Sequence, residues 1–248
     1  MYHTIIFQPL YNGLIGIIDL IPWIDVGVAV ILFTIIVKLI LFPLSKSALL
    51  TQVRMKEVEP EANRIRNQYS ADRQLQAQKT MELYKSKGIK PFSGILLLII
   101  QIPILLALVS VFYKLIPTID TASLYSFITA PDITNKTYFL GLIDLTVPSI
   151  ALAIATGIVQ FLQLKYSLAS QQTQQQTKQN GPQAGAAAMA SSMTSQMKYF
   201  VPVLAFVSIY WLIPARFPQA SSIIALYWMT SSLMTFLQEL YIRRKHLK

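Results

Sequence analysis

Residues 26–44 read VGVAVILFTIIVKLILFPL. A helix that spans a bilayer needs about 20 mostly apolar residues, and this stretch is long enough. It carries one charge, Lys38. A basic side chain in hydrocarbon costs roughly 2.5–3.5 kcal/mol on insertion scales. At a rise of about 1.5 Å per residue, Lys38 lies roughly 10 Å from the Ser45 end of the helix. Basic residues begin there, at Lys46. Two readings of Lys38 follow. Its stem can snorkel and keep the ammonium in interfacial water, or the ammonium can face a wet groove that is the working site.

Composition sets the class. The chain has 248 residues, 54% hydrophobic and 13% charged, where a soluble domain carries about 25% charge. Other long windows without charge follow the first, so the expectation is an all-α polytopic membrane protein. A membrane barrel requires alternating segments of about 10 residues, and the sequence has none. The net charge is +10, but the basic residues crowd beside apolar spans, so no specific nucleic-acid partner is expected. The absence of cysteine excludes thiolate metal sites, disulfides and a catalytic thiol.

The chain then divides as follows. Residues 1–25 hold no Lys or Arg. Gln8, Asn12, Gly16 and Asp19 fall on one helical face, which reads as an interfacial helix on the extracellular side; a sixth span is the alternative. The first span is 26–44. Residues 45–91 hold ten basic residues and read as a cytoplasmic helical hairpin. Pro60 predicts a kink or restart, Ser70 or Asp72 an N-cap, and Gly88 a stop. The second span is 93–117, interrupted by Gln101 and Pro103. An external loop covers 118–144 and the third span 145–164, which ends in Gln160 and Gln163. Those two glutamines share a face, suited to interhelical hydrogen bonds or to a groove. Residues 165–198 read as a disordered Gln-rich cytoplasmic linker. The fourth span is 199–215 and the fifth 217–241, with Tyr227 and Trp228 in mid-membrane, where core packing explains them. A basic cytoplasmic tail covers 242–248.

That makes five transmembrane helices. All basic residues except Lys38, Lys114, Lys136 and Arg216 fall in 45–91, 165–198 and 242–248. The positive-inside rule therefore puts the N-terminus outside and the C-terminus in the cytoplasm.

Enzyme signatures are missing. There is no phosphate-binding glycine loop, HExxH or GxSxG, and the chain is read as a non-enzyme without cofactors. No acid lies within a span to relay protons, and no internal repeat suggests a transporter. What remains is a buried cation, several membrane glutamines and a basic hairpin. A polar pocket of that kind lowers the barrier for hydrophilic segments of another protein to enter the bilayer. A small-solute transporter and a purely structural subunit are the competing readings. The first needs a counter-charge to Lys38; the second makes Lys38 dispensable.

The order of motifs resembles the YidC insertase family, which is related to mitochondrial and chloroplast insertases. The residues that carry the resemblance are IIVKLILFPLSKS at 35–47, the run from Met55 through Pro60 and Ile65 to Tyr69, LYKSKGIKPFSG at 83–94, IQIPI at 100–104, and FPQASSIIALYWMTSSLMTFLQ at 217–238. The resemblance implies a bacterial plasma-membrane insertase and chaperone with a hydrophilic groove open to cytoplasm and lipid. It implies nascent membrane proteins as clients, and the Sec translocon, the ribosome or the signal recognition particle pathway as partners. The family's groove arginine falls at Lys38, which keeps the charge but not the planar fork of donors. The other groove positions implied are Gln101, Gln160, Gln163, Tyr227 and Trp228.

Overall fold

The computed structural model describes residues 2–115, 119–172, 199–216 and 221–246. The described chain is mostly helical. A π-helical turn, His3–Phe7, leads into α1, Gln8–Leu20. Then come α2, Val26–Ile40; α3, Phe42–Glu57; α4, Glu59–Gln68; α5, Arg73–Ser86; and α6, Ser93–Leu115. A short antiparallel hairpin follows, with β1 at Tyr138–Phe139 and β2 at Ile143–Asp144. The last helices are α7, Ile150–Gln172; α8, Tyr199–Ala215; and α9, Ser221–His246. The hairpin departs from the all-α expectation, in which 118–144 was a plain loop.

Local chemistry sets the boundaries. Asp25 caps α2, accepting from the Val28 amide at 2.8 Å. The chain turns at Leu41, and Pro43 occupies the first turn of α3, where its missing N–H is harmless. Pro60 likewise sits at the start of α4, after a break at Val58. Asp72 caps α5 through the amides of Gln74 and Leu75. Gly88 follows α5 with φ +64°, a left-handed conformation that suits glycine. Pro103 lies inside α6. In α8 the turn Ser208–Leu212 is π-helical, with the Ile213 amide bonded back to Ser208 O; Pro214 follows directly and has no amide to offer.

Several expected boundaries differ: α2 ends at Ile40, short of 44, and α7 begins at Ile150, after 145. Helix α7 runs on to Gln172 and α9 to His246, into segments assigned from composition to a linker and a tail. Gln, Leu, Ala, Lys and Arg are good helix formers, so a helix already nucleated propagates through them. The remainder of the expected linker, 173–198, the start of the expected fifth span at 217–220 and residues 247–248 lie outside the described residues.

The chain forms two compact units. The first contains Met1–Leu39 and Ile104–Leu237, the second Ile40–Pro103 and Gln238–Lys248. The core of the first is built from Tyr11, Leu14, Ile15 and Ile18 of α1, Val26, Ala29, Val30 and Phe33 of α2, and Leu108, Val111 and Phe112 of α6. Ile223 to Tyr227 of α9 complete it. The second has a small cluster of Val58, Tyr84 and Ile89, with Met55 and Leu83 against it.

The outer surface of α7 is inverted relative to a soluble helix. Ile150, Ile154, Ile158 and Leu162, each four residues apart, are exposed. The opposite face buries Thr156 and Gln160. Apolar residues outward and polar residues inward fit a hydrocarbon solvent. By length and composition, the window Ile150–Ser167 suffices to cross a membrane, and α2 with α3 qualifies as an interrupted span. Ile99–Leu115 and α8 are apolar but shorter among the described residues.

Candidate functional site

Lys38 lies in the last turn of α2. Its side chain is partly buried, and Nζ donates to Thr235 Oγ1 of α9 at 3.1 Å. The Thr235 hydroxyl proton is in turn directed at Ser231 O, 2.8 Å away. The hydroxyl therefore receives the ammonium through a lone pair while giving its own proton to the helix backbone. Hydrogen bonds to charged groups are the stronger kind, so this contact favours the ammonium at this position.

Helix α7 carries neutral polar groups on its buried face. Thr156 Oγ1 of α7 is placed to donate to Leu152 O at 2.7 Å and lies 3.1 Å from Ala225 O of α9. Gln160, one turn on, is only 7% exposed, and its Oε1 is buried without a hydrogen-bond partner among the described residues. A buried carbonyl oxygen left unsatisfied costs about 1–3 kcal/mol. Gly157 faces α8, where a Cβ would make ordinary van der Waals contact with Pro202 O at 3.6 Å.

The six residues singled out from sequence separate as follows. Lys38, Gln160, Gln163, Tyr227 and Trp228 all belong to the first unit, while Gln101 belongs to the second and is half-buried. Gln163 is also half-buried. Tyr227 packs in the core, its ring 5.7 Å from that of Phe112 and its hydroxyl hydrogen-bonded to Ser231. Trp228 lies against the same core. Thr235 was not singled out, although a signal existed: Tyr227, Ser231 and Thr235 recur every fourth residue and share one face of α9.

A second charged cluster lies in the second unit. Arg243 donates Nε and Nη2 to Glu239 Oε1 at 2.9 and 2.6 Å, in a largely buried pair. Lys56 of α3 feels both groups. Burial, then the Arg243 guanidinium, holds its ammonium below the ordinary lysine range.

On the α1 side of the first unit, Tyr11 and Asn12 fasten α1 to the segment after α6. The Asp120 amide donates to Tyr11 Oη at 2.7 Å. Asn12 is 2% exposed; its Nδ2 donates to Ser123 O at 2.9 Å and its Oδ1 accepts from the Tyr125 amide at 2.7 Å. The polar stripe of α1 thus meets protein backbone. Burial, partly offset by the Asp120 amide, pushes the Tyr11 phenol up to about 12.

Residues 18–248 match the model of the 60Kd inner membrane protein family. A membrane protein insertase YidC of Fusobacterium nucleatum is 30% identical over 219 residues, which cover 88% of this chain and 86% of that protein. A YidC insertase of Francisella philomiragia is 30% identical over 220 residues, 89% of this chain and 33% of its own length. One of Rickettsia bellii is 28% identical over 225 residues, covering 88% and 35%. The chain therefore spans most of the first relative and about a third of the other two.

Proposed function

Because the chain belongs to the 60Kd inner membrane protein family, whose matching relatives bear the name of YidC insertases, we propose that it is a membrane protein insertase and chaperone. It moves hydrophobic segments and short hydrophilic tails of client proteins from the cytoplasm into the bilayer. The observation that carries this reading is Lys38: a cation in an apolar helix, hydrogen-bonded to Thr235 of the last helix.

The mechanism is electrostatic. The ammonium attracts acidic residues of an incoming tail. Polar groups of α7 and α9 offer transient partners to its backbone, Gln160 Oε1 foremost, because none of the described residues satisfies it. Each such partner offsets part of the cost of taking a polar group out of water. The apolar segment then leaves sideways into lipid, along faces such as that of Ile154 and Ile158.

In this reading five helices span the membrane with the N-terminus outside, and 45–91 is a cytoplasmic hairpin that receives clients. The groove is formed within the first unit by Lys38, Gln160, Gln163, Tyr227 and Trp228, to which Thr235 is added; Gln101, in the second unit, is left out of it. Nascent membrane proteins are the clients, with the Sec translocon, the ribosome or the signal recognition particle pathway delivering some of them.

Photo-crosslinking tests it. Benzophenone side chains at Gln163 and Ser231 are expected to capture a client during insertion into proteoliposomes, and one at exposed Asn135 is not. Insertion without capture at either groove position contradicts the reading.

A further inference from the structure

The β1–β2 hairpin is held against the first turn of α2. Asp25 Oδ2 accepts from the Leu140 amide at 3.0 Å, and its Oδ1 caps α2. The Val26 amide donates to Lys136 O at 2.9 Å. Phe139 packs so closely on Gly27 that a Cβ there would lie 2.5 Å from the ring. The hairpin is therefore fixed at the level where the apolar run of α2 begins.

Its tip has an unusual composition. Leu140 and Gly141 form the turn with φ +52° and +71°. Glycine and asparagine favour that conformation; leucine does not. Packing within the protein does not account for the choice, since Leu140 is 63% exposed and Leu142 83%. Trp23, two residues before Asp25, is also 83% exposed, and Leu20 is exposed beside it in sequence. Trp23, Leu140 and Leu142 thus project near the start of α2, and tryptophan belongs at membrane interfaces.

We propose that Trp23, Leu140 and Leu142 form a lipid anchor that dips into the leaflet at the N-terminal end of α2. Bilayer lipid is the occupant because Asp25 and Gly27 set the tip at the depth where α2 enters the hydrocarbon. Val147 and Ile150, just before and at the start of α7, are exposed as well. The anchor pins the hairpin, and with it the start of α2, at a fixed depth. This inference rests on the reading of α2 and α7 as spans.

The chain has no cysteine, so single spin labels report cleanly. Leu142→Cys, Asn135→Cys and Ile158→Cys are labelled in lipid nanodiscs, and their relative access to oxygen and to a water-soluble nickel chelate is measured. The Leu142 label is expected about 5–10 Å inside the headgroup boundary, the Ile158 label deeper, and the Asn135 label in water. A wet Leu142 label with a deep Ile158 label overturns the anchor alone. A Leu142 label shielded from both reagents means that protein covers it, a partner or a second copy, and also overturns the anchor. A wet Ile158 label overturns the span reading and the anchor together.

Discussion

Lys38 and Thr235 lie 197 positions apart in the chain and share a hydrogen bond of 3.1 Å. The bond joins the only charge of the first apolar helix to a face of the last helix that also presents Ser231. A lysine that only snorkels needs water at its ammonium; this one has a protein acceptor as well. Removing the acceptor therefore has a cost that a solvated lysine does not show. Thr235→Val is expected to lower stability by about 1.5–3 kcal/mol, the range for hydrogen bonds to charged groups. Thr235→Ser keeps the hydroxyl and stays close to the parent. Thermal unfolding in detergent, followed by circular dichroism, separates the two.

Docking of α1 depends on ionisation at both ends of the pH scale. The Tyr11 phenol is raised from 10.0 to about 12, so its contribution is fully present below pH 10 and is lost as pH rises toward 12. Asp120 shifts the other way. Lys114, then Ser123, hold its carboxyl below the ordinary value, so its contribution is present above the ordinary carboxylate range and falls away under more acidic conditions. Tyr11→Phe leaves the Asp120 amide without its acceptor, at about 1–3 kcal/mol, and is expected to abolish the alkaline phase. Unfolding midpoints measured across pH check both limbs.

Gly27→Ala is expected to destabilise by about 1–3 kcal/mol, the usual cost of overpacking. The added methyl meets the Phe139 ring at 2.5 Å and Asp25 Oδ1 at 3.0 Å. Helix propensity alone predicts a gain of roughly 0.5–1 kcal/mol, so the sign of the change decides between the two effects. Phe139→Leu on the Gly27→Ala background is expected to recover part of the loss.

Leu140→Gly acts in the opposite direction. Left-handed backbone costs a non-glycine residue roughly 1–2 kcal/mol, and the leucine side chain is exposed. In detergent the substitution is expected to raise stability by about 1 kcal/mol, after the larger unfolded-state freedom of glycine is discounted. No gain, or a loss, means that Leu140 makes a contact that offsets its backbone.

Glu239→Gln leaves Arg243 and Lys56 facing each other without the shared carboxylate. Its cost is expected between the exposed-pair value of about 0–1 kcal/mol and the buried-pair value of about 3–5 kcal/mol. Lys56→Met on that background removes the repulsion and is expected to restore part of the stability. Equal stability of the single and double variants contradicts the coupling.

Much of the local structure was legible in the sequence, because its causes are local. Asp72 caps α5, Pro60 opens α4 and Gly88 follows α5 where the residue types predict. Lys38 stood out because charge in an apolar run is costly. Thr235 did not, since a hydroxyl in a membrane helix is ordinary until its partner is known, and that partner is distant in the chain. The burial of Asn12 was equally hidden: a polar stripe has the same pattern whether it meets water or a backbone loop. The β1–β2 hairpin escaped because strands of two residues are too short for alternation to register. The helical stretches at 165–172 and 242–246 escaped because composition was read in place of helix propagation.

The most direct test of the central claim is insertion of a short single-span client with an acidic N-terminal tail into proteoliposomes, comparing the parent with Lys38→Arg and Lys38→Gln. The account predicts that Lys38→Arg inserts like the parent, because the positive charge is retained, and that Lys38→Gln fails. Equal insertion by all three contradicts the claim that the charge of Lys38 is the working element.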